Sequence, residues 1–166
     1  MPSLIAAMIS LGILGAIDTY LTATILPIPV WVTFIAWASF FVCGGGKDGF
    51  ITSVARNWMG IVIASLTLLV IGMAPAHPAI AAVCVGLGTS AMVAAASIPL
   101  LAFTPAIVFG FASLVGTTAA TGKSVMTGDL SHPTIVAAVA MLVGASFGYA
   151  SELLTNMLAA KKPVTA

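Results

Sequence analysis

Six apolar stretches, parted by short connections that carry proline or glycine, leave this chain few ways to fold. They run at residues 3–26, 29–43, 50–74, 79–98, 105–121 and 134–157. In hydrocarbon an unsatisfied peptide group costs several kcal/mol, so an apolar stretch must satisfy its own backbone as a helix or join a closed barrel. These stretches lack the apolar–polar alternation of a barrel strand. Six helices are expected. With 61% hydrophobic and 5% charged residues, the chain holds too few charges to cover a soluble surface. The expectation is an all-α membrane protein of six transmembrane helices, one integral domain over residues 1–166, with no soluble domain left over.

The N-terminal MPSLIAAMISLGIL lacks the Lys or Arg that opens a secretory signal, and further spans follow it, so it is read as the first span. Lys and Arg gather on the cytoplasmic side of short loops. With six spans, Lys47, Arg56, Lys161 and Lys162 share the N-terminal side against Lys123 alone. Were the two short stretches re-entrant, Lys47, Arg56 and Lys123 would face Lys161 and Lys162. The bias favours six spans with both termini cytoplasmic.

Three spans per half would turn the second half upside down relative to the first, as in many transporters. The halves would be residues 1–76 and 77–157. A shift of 76 residues lays Pro29 on Pro105, Gly46 on Gly122, Lys47 on Lys123, Gly12 on Gly88 and Gly72 on Gly148. In a chain this rich in Ala, Gly, Val and Leu such identities decide little by themselves. Two inverted three-helix repeats are therefore carried as an expectation.

Asp18 lies about sixteen residues into the first span, past its midpoint at 1.5 Å per residue. It reads either as a pathway or proton-linked site or as a carboxylate wetted by the outer headgroups, with Thr19, Tyr20 and Thr22 beside it. Arg56 and Asn57 enter the third stretch about 9 Å from its start. Arg56 can snorkel to the surface, and pairing with Glu152, near the same end of the last helix, is expected as a structural ion pair. Ser53, Asn57, Gly60 and Ala64 share one stripe. In the fifth stretch Ala106, Gly110, Ser113, Thr117 and Thr121 recur every three or four residues, opposite Phe109, Phe111 and Leu114. Such a face either hydrogen-bonds a passing solute or lets a neighbouring helix approach closely. The candidate pathway is Asp18, Asn57, Thr104, Phe109, Ser113, Thr117 and Thr121.

The fourth stretch is almost wholly small residues, and Gly144 with Gly148 forms a small-xxx-small pair, both reading as helix packing. Trp31 and Trp58 suit interface anchoring. Cys43 and Cys84 read as small buried hydrophobes, and His77 and His132 have no partners at ligand spacing. No catalytic set, phosphate loop or metal motif is visible; GGGKDG at residues 44–49 follows a helix, so it is read as a turn. No enzyme, cofactor, metal or nucleic-acid partner is expected, because no basic patch exists to meet phosphates.

The stretches WVTFIAWASFFVCGGGKDG from Trp31 and FTPAIVFGFASLVG from Phe103 resemble the YcdZ-like family of bacterial inner-membrane proteins, a domain of unknown function (DUF1097). The resemblance spans nearly the whole chain and implies the inner membrane, with no activity assigned. A weaker likeness is to urea channels, whose halves carry Leu-Pro and Thr-x-Pro elements before a pathway helix. Ile98-Pro99 and Thr104-Pro105 depart from that spacing, so no urea ligand carries over. The expected function is a channel or facilitator for a small neutral or weakly charged solute; the alternative is a membrane scaffold or partner subunit. The expected partners are the bilayer, that solute and further copies of the chain.

Overall fold

Proline and glycine set most of the helix ends. The computed structural model describes residues 1–129 and 131–159; Lys161 and Lys162, used above for topology, lie outside them. Six α-helices follow in order: α1 (Ser3–Thr24), α2 (Val30–Val42), α3 (Gly46–Met73), α4 (Pro78–Ala95), α5 (Thr104–Thr121) and α6 (Pro133–Leu158), with a single 3-10 turn at Pro99–Leu101 before α5. Among the described residues there is no strand.

Pro78, Pro105 and Pro133 sit in the first turns of α4, α5 and α6, where a missing N–H costs nothing. His77 and His132 are the N-caps of α4 and α6. Their Nδ1 atoms accept from Ala79 N and Thr134 N at 3.2 Å. His132 Nε2 then donates to Val125 O at 2.8 Å, which fixes the neutral tautomer. The expected glycine turn is shorter than six residues, since α3 begins at Gly46. Gly44, Gly45 and Gly46 all have positive φ, the conformation that reverses the chain there. The fourth helix stops at Ala95, three residues short of the expected end, because Pro99 starts the 3-10 turn.

Five helices are long and apolar enough to cross a membrane. The thirteen residues of α2 reach only about 20 Å, less than the ~30 Å hydrocarbon thickness. The helices alternate in direction. Ser10 on α1 meets Ser151 on α6, Trp58 on α3 meets Ala138 on α6, and α3 runs parallel to α5, with Arg56 beside Phe103 just before α5 and Gly72 beside Met126 just after it.

The two most extensive interfaces join α3 to α5 and α2 to α6. Each is a backbone-to-backbone approach. A Cβ on Gly110 would lie 1.8 Å from Asn57 O and one on Gly60 1.9 Å from Ile107 O; across the bundle, one on Gly144 would lie 2.0 Å from Thr33 O. The core between them is Val32, Ile61, Ala64, Ile107, Leu114, Ala140 and Met141. Helices α1 and α4 flank the bundle with most of their surface exposed.

Candidate functional site

Three groups of buried polar residues lie between these helices. The first joins α1 to α2. Asp18 is fully buried, not wetted, and its Oδ2 lies 2.5 Å from Thr33 Oγ1. The same hydroxyl lies 2.7 Å from Val30 O, one turn back on α2. Asp18 Oδ1 has no partner among the described residues.

The second group lies where α2, α3 and α5 meet. Ser39 Oγ donates to Asn57 Oδ1 at 2.8 Å, and both residues are fully buried. Asn57 Nδ2 and, further along α5, Ser113 Oγ are buried without partners among the described residues. Asn57 is held by its backbone against Gly110, so its amide cannot withdraw from the core.

The third group is satisfied. Trp37 Nε1 donates to Ser151 Oγ at 3.0 Å, Ser151 Oγ donates to Gly148 O at 2.7 Å, and Ser10 Oγ donates to Ser151 O at 2.7 Å. These bonds tie α1, α2 and α6 together.

The stripe on α5 divides as follows. Ala106, Gly110, Ser113 and Thr117 are buried, and Gly110 meets the α3 backbone, so at that point the stripe is a helix-packing face. Thr117 Oγ1 and Thr121 Oγ1 bond back to Ser113 O and Thr117 O, each at 2.7 Å. Thr104 and Phe109 are half-buried, and Thr121 is exposed at the end of the helix. Phe111 and Leu114, expected on an opposite face, are buried as well. The grooves on the surface lie elsewhere; one of about 250 Å³ runs between α3 and α4, lined by Ile63, Leu66, Val70, Cys84 and Leu87.

Arg56 and Glu152 do not pair. Arg56 Nε donates to Leu100 O at 3.0 Å and its guanidinium lies 5.8 Å from the Phe103 ring, with Cys43 Sγ 3.4 Å from Nη1. Glu152 Oε2 instead accepts from Gly46 N at 2.6 Å. The physical reason is the start of α3, whose free N–H groups attract a carboxylate as strongly as a distant guanidinium does.

Sequence reasoning passed over Thr33, Ser39, Ser10, Trp37 and Ser151. The available signal was two hydroxyls, Thr33 and Ser39, inside the most apolar helix of the chain. Among the described residues no group of three or more His, Cys, Asp or Glu could hold a metal ion.

Comparison with known proteins gives family without activity. An uncharacterized protein, YahC of Escherichia coli (strain K12), is 46% identical over 41 residues, 25% of this chain and 25% of its own length. The chain thus matches only a quarter of that relative. No solved structure matches, and none of the matches carries the likeness to urea channels. The profile of the DUF1097 family, proteins of unknown function, matches residues 8–156, and this helical membrane protein belongs to that family.

Proposed function

We propose that the protein is a channel or facilitator that passes a small neutral or weakly charged solute across the bacterial inner membrane, with both termini cytoplasmic and all six helices spanning. The observation that carries this reading is that two of the four buried polar atoms without partners among the described residues, Asn57 Nδ2 and Ser113 Oγ, belong to α3 and α5. Each such group costs about 1–3 kcal/mol, a cost that packing by itself gives no reason to keep. A passing amide, alcohol or acid would satisfy a donor on α3 and a hydroxyl on α5.

The packing pattern supports two inverted halves. Exchanging α1 with α4, α2 with α5 and α3 with α6 carries the α3–α5 interface onto α6–α2, and α1–α6 onto α4–α3. The connection between α5 and α6 has eleven residues against three between α2 and α3, so the register moves by eight. Gly60 then corresponds to Gly144, in place of the Gly72–Gly148 match at the shift of 76. Both members of the new pair sit at the closest helix approaches.

Swelling of proteoliposomes in a panel of small amides, alcohols and acids tests the reading. Faster entry of at least one solute than into empty vesicles is expected; equal entry for all of them rejects it.

The second reading, a non-transporting membrane scaffold or partner subunit, draws on the peripheral helices. Gly12 on α1 and Gly86 on α4 have open space where a Cβ would stand, and small exposed positions let helices approach. Both readings include a homo-oligomer, checked by mass measurement in detergent.

A further inference from the structure

The hydrogens available around Asp18 are fewer than its contacts require. Thr33 Oγ1 has one hydrogen and two short oxygen neighbours, Asp18 Oδ2 at 2.5 Å and Val30 O at 2.7 Å. Neither a carbonyl nor an ionised carboxylate oxygen donates, so with one Thr33 hydrogen the two contacts are both full hydrogen bonds only when Asp18 supplies the second hydrogen. A carboxyl can supply it only when protonated.

The surroundings agree. Helix α1 packs chiefly on α2 and α6. Val30–Val42 contains no ionisable residue. On α6 the titratable residues are Tyr149, which stacks near Phe40 and Phe50, and Glu152, which is bound to Gly46 at the other end of the bundle. On α1 itself Tyr20 is exposed. With no cation facing it among the described residues, a buried carboxyl resolves its cost by taking up a proton.

We propose that Asp18 is a reversible proton-binding site: a neutral carboxylic acid that donates to Thr33, which donates to Val30 O, and that exchanges its proton with water at the outer end of α1. Thr24 closes the helix six residues on, about 9 Å away. In the exchange the Asp18 O–H bond breaks, its electron pair stays on the carboxylate and the proton passes to a water molecule. Thr33 then turns its hydrogen from Val30 O to the carboxylate. The site makes the chain sensitive to proton activity on one side of the membrane. It goes beyond solute passage and stands or falls separately from it.

Infrared difference spectroscopy of the purified protein in lipid, stepped from neutral to alkaline pH, reads the carboxyl directly. The expected result is a protonated-carboxyl C=O band at neutral pH that shifts in D2O, disappears at alkaline pH while the helical signal persists, and is missing from Asp18→Asn but present in Glu152→Gln. Asp18→Asn keeps a donor toward Thr33 and should melt near the wild-type Tm, whereas Asp18→Ala should melt lower. Absence of the band at neutral pH, or its persistence in Asp18→Asn, overturns the proposal. So does an Asp18→Asn protein that melts as low as Asp18→Ala. Should the alanine variant fail to fold, the wild-type and asparagine spectra still decide.

Discussion

The two large interfaces of the bundle share a packing solution and differ in their polar chemistry. At α3–α5 the approach is made by Gly60 and Gly110; at α2–α6 it is made by Gly144 and Gly148. Around α2–α6 the buried polar atoms of Trp37, Ser151 and Ser10 are bonded to one another or to backbone. Around α3–α5, Asn57 Nδ2 and Ser113 Oγ are left over among the described residues, whereas on α6 the one such atom is Thr155 Oγ1, in the last turn of the helix. Similar backbones therefore carry unlike contents. Close packing needs only small residues and is indifferent to which side is satisfied, so the unsatisfied side holds what packing does not explain.

Glycine substitutions probe the shared part and give the largest effects. Gly110→Ala and Gly144→Ala each place a Cβ within 2.0 Å of a backbone oxygen, and each should cost about 3 kcal/mol or more in reversible unfolding in detergent. Gly12→Ala and Gly86→Ala meet open space and should be neutral or stabilising, by up to ~1 kcal/mol. A tolerated Gly144→Ala beside an intolerant Gly110→Ala breaks the equivalence.

Hydroxyl deletions probe the difference. Ser151→Ala strands Trp37 Nε1 in the core and should cost about 1–3 kcal/mol in the same unfolding measurement. Ser113→Ala removes a hydroxyl that has no partner, and stability should hold or rise by up to ~1 kcal/mol. Equal losses at the two serines would mean that the interfaces are alike in polar content too.

The two connections extend the comparison to the ends of the bundle. Between α2 and α3 the turn is held by Glu152 on Gly46 N; Glu152→Ala should cost about 1 kcal/mol and speed hydrogen exchange at Gly46. Between α5 and α6 the loop is held by Ser131, which donates from its hydroxyl and its N–H to Asp129 and also bonds Lys123. The Ser131 hydroxyl, helped by Lys123, holds the Asp129 carboxyl below the usual carboxylate range. That contribution is present above the ordinary carboxylate value and is lost as pH falls through the lowered one. Ser131 amide protection should therefore drop on acidification, and Asp129→Asn should remove this pH dependence, the smallest effect of the series.

Some of the site was legible in the chain. Asp18, Asn57 and Ser113 stand out because polar residues inside long apolar runs are few, and the structure buries all three. Their partners were not legible. Thr33 and Ser39 come from another helix, and nothing in the spacing of α1 says which face of α2 it will meet. Arg56 and Glu152 show the same limit: opposite charges near one end of the bundle suggested a pair, yet each found backbone groups instead.

By itself the sequence determined the number and type of elements and most of their ends. In hydrocarbon each apolar run must close its own hydrogen bonds, and Pro and Gly mark where that closure stops. Only the tertiary structure decided what the small faces do. A row of Ala, Gly, Ser and Thr is compatible with solute or with a neighbouring helix, and the choice on α5 was made by the α3 backbone at Asn57, which Gly110 admits because it has no Cβ. The same holds for Asp18, whose burial beside Thr33 depends on how α2 folds back after Pro27 and Pro29 rather than on anything within α1.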